Sequence, residues 1–224
     1  MRNNKITFYL LLTLLLSMNA VAQDLSSGIK LIRNGKFSEA KKYFSDKLNS
    51  ISKSEAHFYL GQIYFMQGDI DSAYIHFGEG IKTDNENALN FAGMCKVDFY
   101  KNNSTAGEQN YINAIDKGED NALVYITLSE AFSNSKNKNY DRAIEILNKS
   151  LTLKRKDINS YISLGKVFAA KGNGTDALKN FSSALEIDSK NPEALTQKAK
   201  IYILINNSNA GIELLNKAIT FDSS

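Results

Sequence analysis

Between Ser54 and Asn87 the apolar residues fall in two runs at helical spacing, separated by a glycine turn. The first run carries Phe58, Leu60, Gly61 and Tyr64, the Gly68-Asp69 pair interrupts the pattern, and the second run carries Ala73, Phe77 and Gly80. A three-to-four-residue apolar period is the mark of an amphipathic helix. The stretch therefore predicts two short helices packed on each other, with small residues at the close approach and aromatic ones filling the gap. The same arrangement recurs along the chain. The small first-helix position runs Gly28, Gly61, Cys95, Ser129, Gly165, Ala199, and the small second-helix position runs Ala40, Ala73, Gly107, Ala143, Ala177, Gly211. Four residues after each of the latter stands a bulky one: Phe44, Phe77, Tyr111, Leu147, Phe181, Leu215. All three columns advance in steps of 33 or 34 residues, and once by 36. Three columns in one register predict an all-α chain of repeated helix–turn–helix units.

Local chemistry agrees with those boundaries. Gly35, Gly68 and Gly172, with Asn102 and Asn206, stand at the turns inside the units, and Gly and Asn tolerate the left-handed backbone such turns use. Asn191 before Pro192 reads as a helix N-cap and first-turn pair, and Ser52-x-x-Glu55 as a capping box. One helix pair cannot bury its apolar face alone, so the units must stack, each on its neighbours.

A helix–turn–helix unit repeated every 34 residues resembles the tetratricopeptide repeat family. Tyr161-x-x-Leu164-Gly165-x-x-Phe168 followed by Ala177-x-x-x-Phe181-x-x-Ala184 carries the resemblance, and Ser54–Asn87 carries it best. It extends over residues 23–224 as a single solenoid of six tandem repeats, at about 23–53, 54–87, 88–121, 122–157, 158–191 and 192–224. The third repeat departs most, with Cys95 at the Gly place, Asp98 at an aromatic place and Gly107 at the Ala place. The fourth is lengthened by two residues within Ser133–Asn139. The family's closing proline is replaced by Asn85, Glu119, Arg155 and Ser189.

The resemblance implies a right-handed superhelical solenoid whose concave groove binds a protein or peptide. Its groove places map to Phe58, Gln62, Phe65 and Met66 in the second repeat, and to Ala92, Lys96, Phe99 and Tyr100 in the third. Ile126, Glu130, Ser133 and Asn134 follow in the fourth, Ile162, Lys166, Ala169 and Ala170 in the fifth, and Thr196, Lys200, Ile203 and Leu204 in the sixth. Aromatic residues and Met beside lysines suit an amphipathic helix or an extended segment bearing some acidic residues. The subclass that grips a chaperone's C-terminal carboxylate is disfavoured, since Phe58, Ala92, Ile126 and Ile162 occupy its lysine places.

The N-terminus changes the expected location. Arg2 and Lys5 precede an apolar run from Ile6 to Met18, and Ala20-Val21-Ala22 offers a small-x-small cleavage site. That is a signal peptide cut after Ala22, and the run is shorter than the roughly 20 residues of a membrane span. The expectation is an exported protein with no stable membrane insertion after cleavage, periplasmic in a two-membrane bacterium and otherwise extracellular. Residues 1–22 hold two basic and no acidic residues, which leaves 25 Lys and Arg against 24 Asp and Glu. A near-neutral chain has no general field to hold nucleic acid. Cys95 is the one cysteine, so no intramolecular disulfide forms and packing must supply stability.

Catalytic chemistry finds little support. His57 and His76, with Glu79 three residues on, are the sole candidates for a metal site, and His57 stands where the family packs an aromatic ring. Cys95 replaces a buried small residue and reads as a core thiol. No cofactor is implied. A local basic bias, Lys136, Lys138, Arg142, Lys149, Lys154, Arg155 and Lys156 against Asp141 and Glu145, reads as a solvated face or as a dock for an anionic partner. The expected function is a non-catalytic scaffold or adaptor in an envelope or secretion-related complex. Two alternatives stand beside it: a holdase-like chaperone using the Phe58–Tyr100 patch, and a structural module docking through an uncapped sixth repeat.

Overall fold

The computed structural model describes residues 25–49, 53–154 and 156–222. The signal segment and the Ser52 end of the capping box lie outside the described residues. A 3-10 turn at Lys47–Asn49, no strand and twelve α-helices are found among those described. They are α1 (25–33), α2 (Phe37–Asp46), α3 (Lys53–Met66), α4 (Ile70–Thr83), α5 (Ala88–Tyr100), α6 (Ser104–Lys117), α7 (Ala122–Ser133), α8 (Tyr140–Leu153), α9 (Ile158–Ala170), α10 (Gly174–Ile187), α11 (Pro192–Leu204) and α12 (Ser208–Asp222). The fold is all-α, in the paired helix–turn–helix units that the columns predict.

Every second helix from α4 to α12 starts on a side-chain cap. Asp69, Asn103, Asn139, Asn173 and Asn207 occupy one column, and each side-chain oxygen accepts the backbone N–H three residues on, at 3.0–3.5 Å. First helices use the same device at Asp157 and Asn191, which accept from the N–H groups of Ser160 and Ala194. A cap of this kind contributes about 1 kcal/mol by satisfying an otherwise unpaired helix donor. α2 is the exception, for Lys36 stands at its start and makes no side-chain cap. The turn residues behave as their types require: Gly35, Gly68, Gly172, Asn102 and Asn206 all have φ between 62° and 86°.

The described residues form two compact units divided between Asn90 and Phe91. In the first, α2 packs on α3 and α3 on α4, around Ala40, Phe44, Leu60 and Ile63. Phe44 stacks on Tyr59 with ring centroids 4.8 Å apart. Gly80 leaves room for the fully buried Asn90, whose amide donates to the carbonyl and hydroxyl oxygens of Ser54 at 3.1 and 3.0 Å. In the second unit α7 to α12 pack each on the next. One apolar cluster in it gathers Ile162, Ala177, Phe181, Ala184, Ala194 and Ile201.

The close-approach columns do what their sizes suggest. A Cβ on Gly61 would lie 2.5 Å from the Phe77 ring, and one on Gly165 would lie 2.5 Å from Phe181. In the fourth and sixth repeats, where Ser129 and Ala199 are larger than Gly, the facing residue is Leu147 or Leu215 in place of Phe.

Candidate partner-binding groove

Within the second unit, α7 touches α9 and α9 touches α11, so successive first helices lie side by side and present one face. The residues along that face repeat with the chain. Gln62, Lys96, Glu130, Lys166 and Lys200 form one column, and the last four belong to the second unit. Lys96 donates to Glu130 Oε2 at 2.6 Å, and Lys166 pairs with Glu193 of the next repeat. The face is thus a ladder of fixed charges between neighbouring helices. Lys200 is exposed at its end.

The predicted groove residues divide into open and packed groups. Met66 is 54% exposed and Tyr100 37%. Lys166 and Lys200 are exposed, while Gln62, Phe65, Ile126 and Glu130 are half-buried. Two expectations need correction. Phe58 is 1% exposed and packs edge-on to Tyr59 at 5.1 Å and against Phe77 at 6.1 Å, so it fills the α3–α4 contact. Lys96 is 4% exposed and held by Glu130, which leaves it no free charge for an acidic partner. Phe99, half-buried, fills the space left by Gly107, where a Cβ would lie 2.9 Å from its ring, and it packs on Phe132 at 4.7 Å.

A polar hub beside this face was not anticipated. Arg142 on α8 holds Glu108 on α6 by both guanidinium nitrogens, and its guanidinium lies 4.1 Å from the Phe132 ring centroid and 4.8 Å from that of Tyr111. The pair with Glu108 raises the Arg142 pKa. Glu108 and Arg142 stand 34 residues apart, the repeat spacing itself, and opposite charges one period apart were the available signal.

The histidines meet in the first unit. His57 and His76 Nδ1 atoms are 3.1 Å apart, and His76 stacks on Tyr64 with centroids 5.2 Å apart. Burial lowers the pKa of both. Among the described residues, no group of three or more His, Cys, Asp and Glu is placed to hold a metal ion. Cys95 is fully buried, and burial pushes its thiol pKa up. A cleft of about 380 Å³ lined by Lys156, Tyr161, Ser183, Glu186 and Ile187 lies off the charged column. No helix among the described residues is long and apolar enough to cross a membrane.

Stacked helix pairs presenting a continuous first-helix face define a repeat scaffold. Comparison with known proteins gives the chain's similarities. A family model for the tetratricopeptide repeat matches residues 124–157 and 192–224. A TPR repeat-containing protein of Methanocaldococcus jannaschii is 28% identical over 200 residues, covering 86% of this chain and 31% of its own length. A BBSome complex member of Bos taurus is 33% identical over 85 residues, covering 38% of this chain and 16% of its own. The chain therefore spans under a third of either relative. The structure of a thermophilic TPR protein of Thermus thermophilus superposes with a TM-score of 0.59 at 16% identity, over 75% of this chain and 90% of that one. Tetratricopeptide repeats are thus detected at residues 124–157 and 192–224, and the described residues share the all-α fold of solved proteins of that kind.

Proposed function

We propose that the chain is an exported, non-catalytic adaptor that holds one or a few envelope or secretion-machinery proteins on its first-helix face. The observation that carries this reading is the ion-paired ladder of Lys96–Glu130 and Lys166–Glu193, which fixes the first helices while Lys200 stays exposed at its end. Tyr100, in the same unit, adds exposed apolar surface on the same column set. A preset face with an apolar anchor and an exposed cation at Lys200 suits an amphipathic helix or an extended segment with some acidic residues. The bovine relative's place in a complex supports an assembly role. Export rests on the Arg2–Ala22 segment.

Site-specific photo-crosslinking from Tyr100 and Lys200 in the source cell, followed by mass spectrometry, tests the adaptor. One dominant adduct shared by both positions supports it. A broad set of unrelated adducts moves the function to a holdase acting on many clients. Export is tested by the mature N-terminus, expected at Gln23.

A further inference from the structure

The turn inside the sixth repeat differs from the other five. Each of those carries a charged residue: Lys36, Asp69, Lys101, Lys136 with Lys138, and Lys171. In the sixth, Leu204 and Ile205 lead into Asn206-Asn207 with no charge. Leu204 is 76% exposed and Ile205 56%, and no large apolar residue among those described is more exposed than Leu204. Beside them Ile203 is fixed against α12, where a Cβ on Gly211 would lie 2.6 Å from its side chain. The exposure does not come from the place of this repeat in the chain. Gln67, Lys101 and Lys171 stand at the Ile205 position, and Met66, Tyr100 and Ala170 at the Leu204 position, and all six are exposed with a further repeat after them.

Charge is spread unevenly over the two edges of the second unit. Its turns inside repeats, 101–103, 134–139, 171–173 and 205–207, hold Lys101, Lys136, Lys138 and Lys171 and no acidic residue. On the opposite edge the turns between repeats, 118–121, 154–157 and 188–191, hold four basic and four acidic residues. Carboxylates in the first turns of the second helices are engaged: Asp141 pairs with Lys171 and Asp176 accepts from Asn173. Lys136 and Lys138 are exposed. We propose that this basic edge seats on an anionic lipid surface, with Leu204 and Ile205 entering between the headgroups and the turn lysines meeting the phosphates. An exposed apolar group rimmed by polar residues marks such contacts, and a tip that projects beyond its own helix pair needs no matching pocket in a fluid surface. Asn206 and Asn207 carry no charge into that layer, where charge is costly. Lys200 stands four residues before Leu204 on the same helix face, about 6 Å along the axis. Interfacial elements sit about 5–10 Å deep, so with Leu204 at the acyl boundary Lys200 lies among the headgroups. A small apolar tip holds only marginally by itself, and the cations add attraction where the lipid is anionic.

Flotation of the chain from Gln23 with vesicles tests this. That form keeps every described residue and leaves out the Ile6–Met18 run, which would partition into lipid by itself. Binding is expected to vesicles of equal parts phosphatidylglycerol and phosphatidylcholine, and to weaken as salt screens the lysines. Leu204→Ser with Ile205→Ser should weaken it about tenfold or more, and Lys136→Gln with Lys138→Gln several-fold. Ile75→Ser, at a comparably exposed apolar residue of the first unit, should leave it unaltered. The inference is overturned by no binding to these vesicles, by equal binding to phosphatidylcholine alone, by indifference to either double change, or by equal weakening from Ile75→Ser. So it is by a reversible self-association, seen in sedimentation without lipid, that Leu204→Ser with Ile205→Ser dissolves, because the tip then meets protein. Lipid binding and a protein adduct on the first-helix face are read separately, so neither result decides the other.

Discussion

The fifth and third repeats solve one packing problem in opposite ways. In the fifth, Gly165 lets the Phe181 ring lie against the α9 backbone, and Leu178 and Leu185 carry most of the contact to α11 through apolar surface, with Lys198 donating to Ser182 Oγ beside them at 2.9 Å. In the third, Cys95 takes the glycine place and Gly107 stands where the partner helix usually has Ala. The vacated volume is filled from the other side by Phe99. Contact to the next repeat then runs through Arg142, gripped by Glu108 and stacked on Tyr111 and Phe132. The fifth repeat's contact rests on shape, whereas the third repeat's depends on directed charge and ring contacts. Such contacts tolerate fewer alternative registers, at the cost of desolvating a guanidinium.

The largest effect is expected where shape rules. Gly165→Ser drives a Cβ to 2.5 Å from the Phe181 ring, and overpacking of this kind costs about 1–3 kcal/mol. Adding Phe181→Leu recreates the Ser129 and Leu147 pair of the fourth repeat and should recover most of that loss. A chemical-denaturation double-mutant cycle measures it, with a favourable coupling of about 0.5–3 kcal/mol expected. Strict additivity would mean that the size trade between the columns is accidental.

Next comes the polar hub. Arg142→Met removes the grip on Glu108 and both ring contacts, and should cost about 1–2 kcal/mol, mostly from the stacking. Glu108→Gln should cost less, because both partners of the ion pair are partly exposed and solvent screens them. If Glu108→Gln proves the more damaging, the charge pair and not the stack organises this junction.

A smaller effect separates capped from uncapped helices. Asn173→Ala should cost about 1 kcal/mol by leaving the Asp176 N–H unpaired. Lys36→Asp, supplying α2 with the missing acceptor, should raise stability by up to about 1 kcal/mol. Thermal unfolding of the two variants checks the pair, and equal shifts in one direction would contradict the capping account.

Much of this was legible in the residues. Helix positions, turn glycines and asparagines and the close-approach columns follow from periodicity, because each is a local or one-period constraint. The groove was legible only in part. Phe58 and Lys96 stand at first-helix places that the family leaves to a ligand, yet one completes the α3–α4 contact and the other is consumed by Glu130. Whether such a residue faces outward depends on the curvature and packing of its own helix pair, which spacing does not encode. The Arg142 hub escaped for a related reason: its partners come from α6, α7 and α8, and composition had marked Arg142 only as part of a basic run.

The subtlest consequence concerns pH, and here too a polar substitution is set against a conserved register. Asp98, at an aromatic place, is buried with its carboxylate accepting from Asn110 Nδ2 at 2.8 Å. Desolvation raises its pKa, outweighing the Asn110 hydrogen bond and the nearby Lys101. The folded state therefore binds more protons than the unfolded one, so this group's stabilisation is full below the unfolded carboxylate pKa of about 3.9 and is lost as pH rises through the folded value. The His57–His76 pair has the opposite sign. Its two Nδ1 atoms at 3.1 Å need one donor and one acceptor, and burial lowers both pKa values, with Glu79 opposing and Lys53 reinforcing the shift at His57. Its contribution is present above the unfolded histidine pKa of about 6.5 and lost as pH falls through the lower folded values. Subtracting the stability–pH curve of Asp98→Asn from that of the wild type should give a difference falling with rising pH above about 4. The same subtraction for His76→Asn should give a difference falling with decreasing pH below about 6.5. Two difference curves of the same sign would mean that one of these buried polar groups is not held as the structure places it.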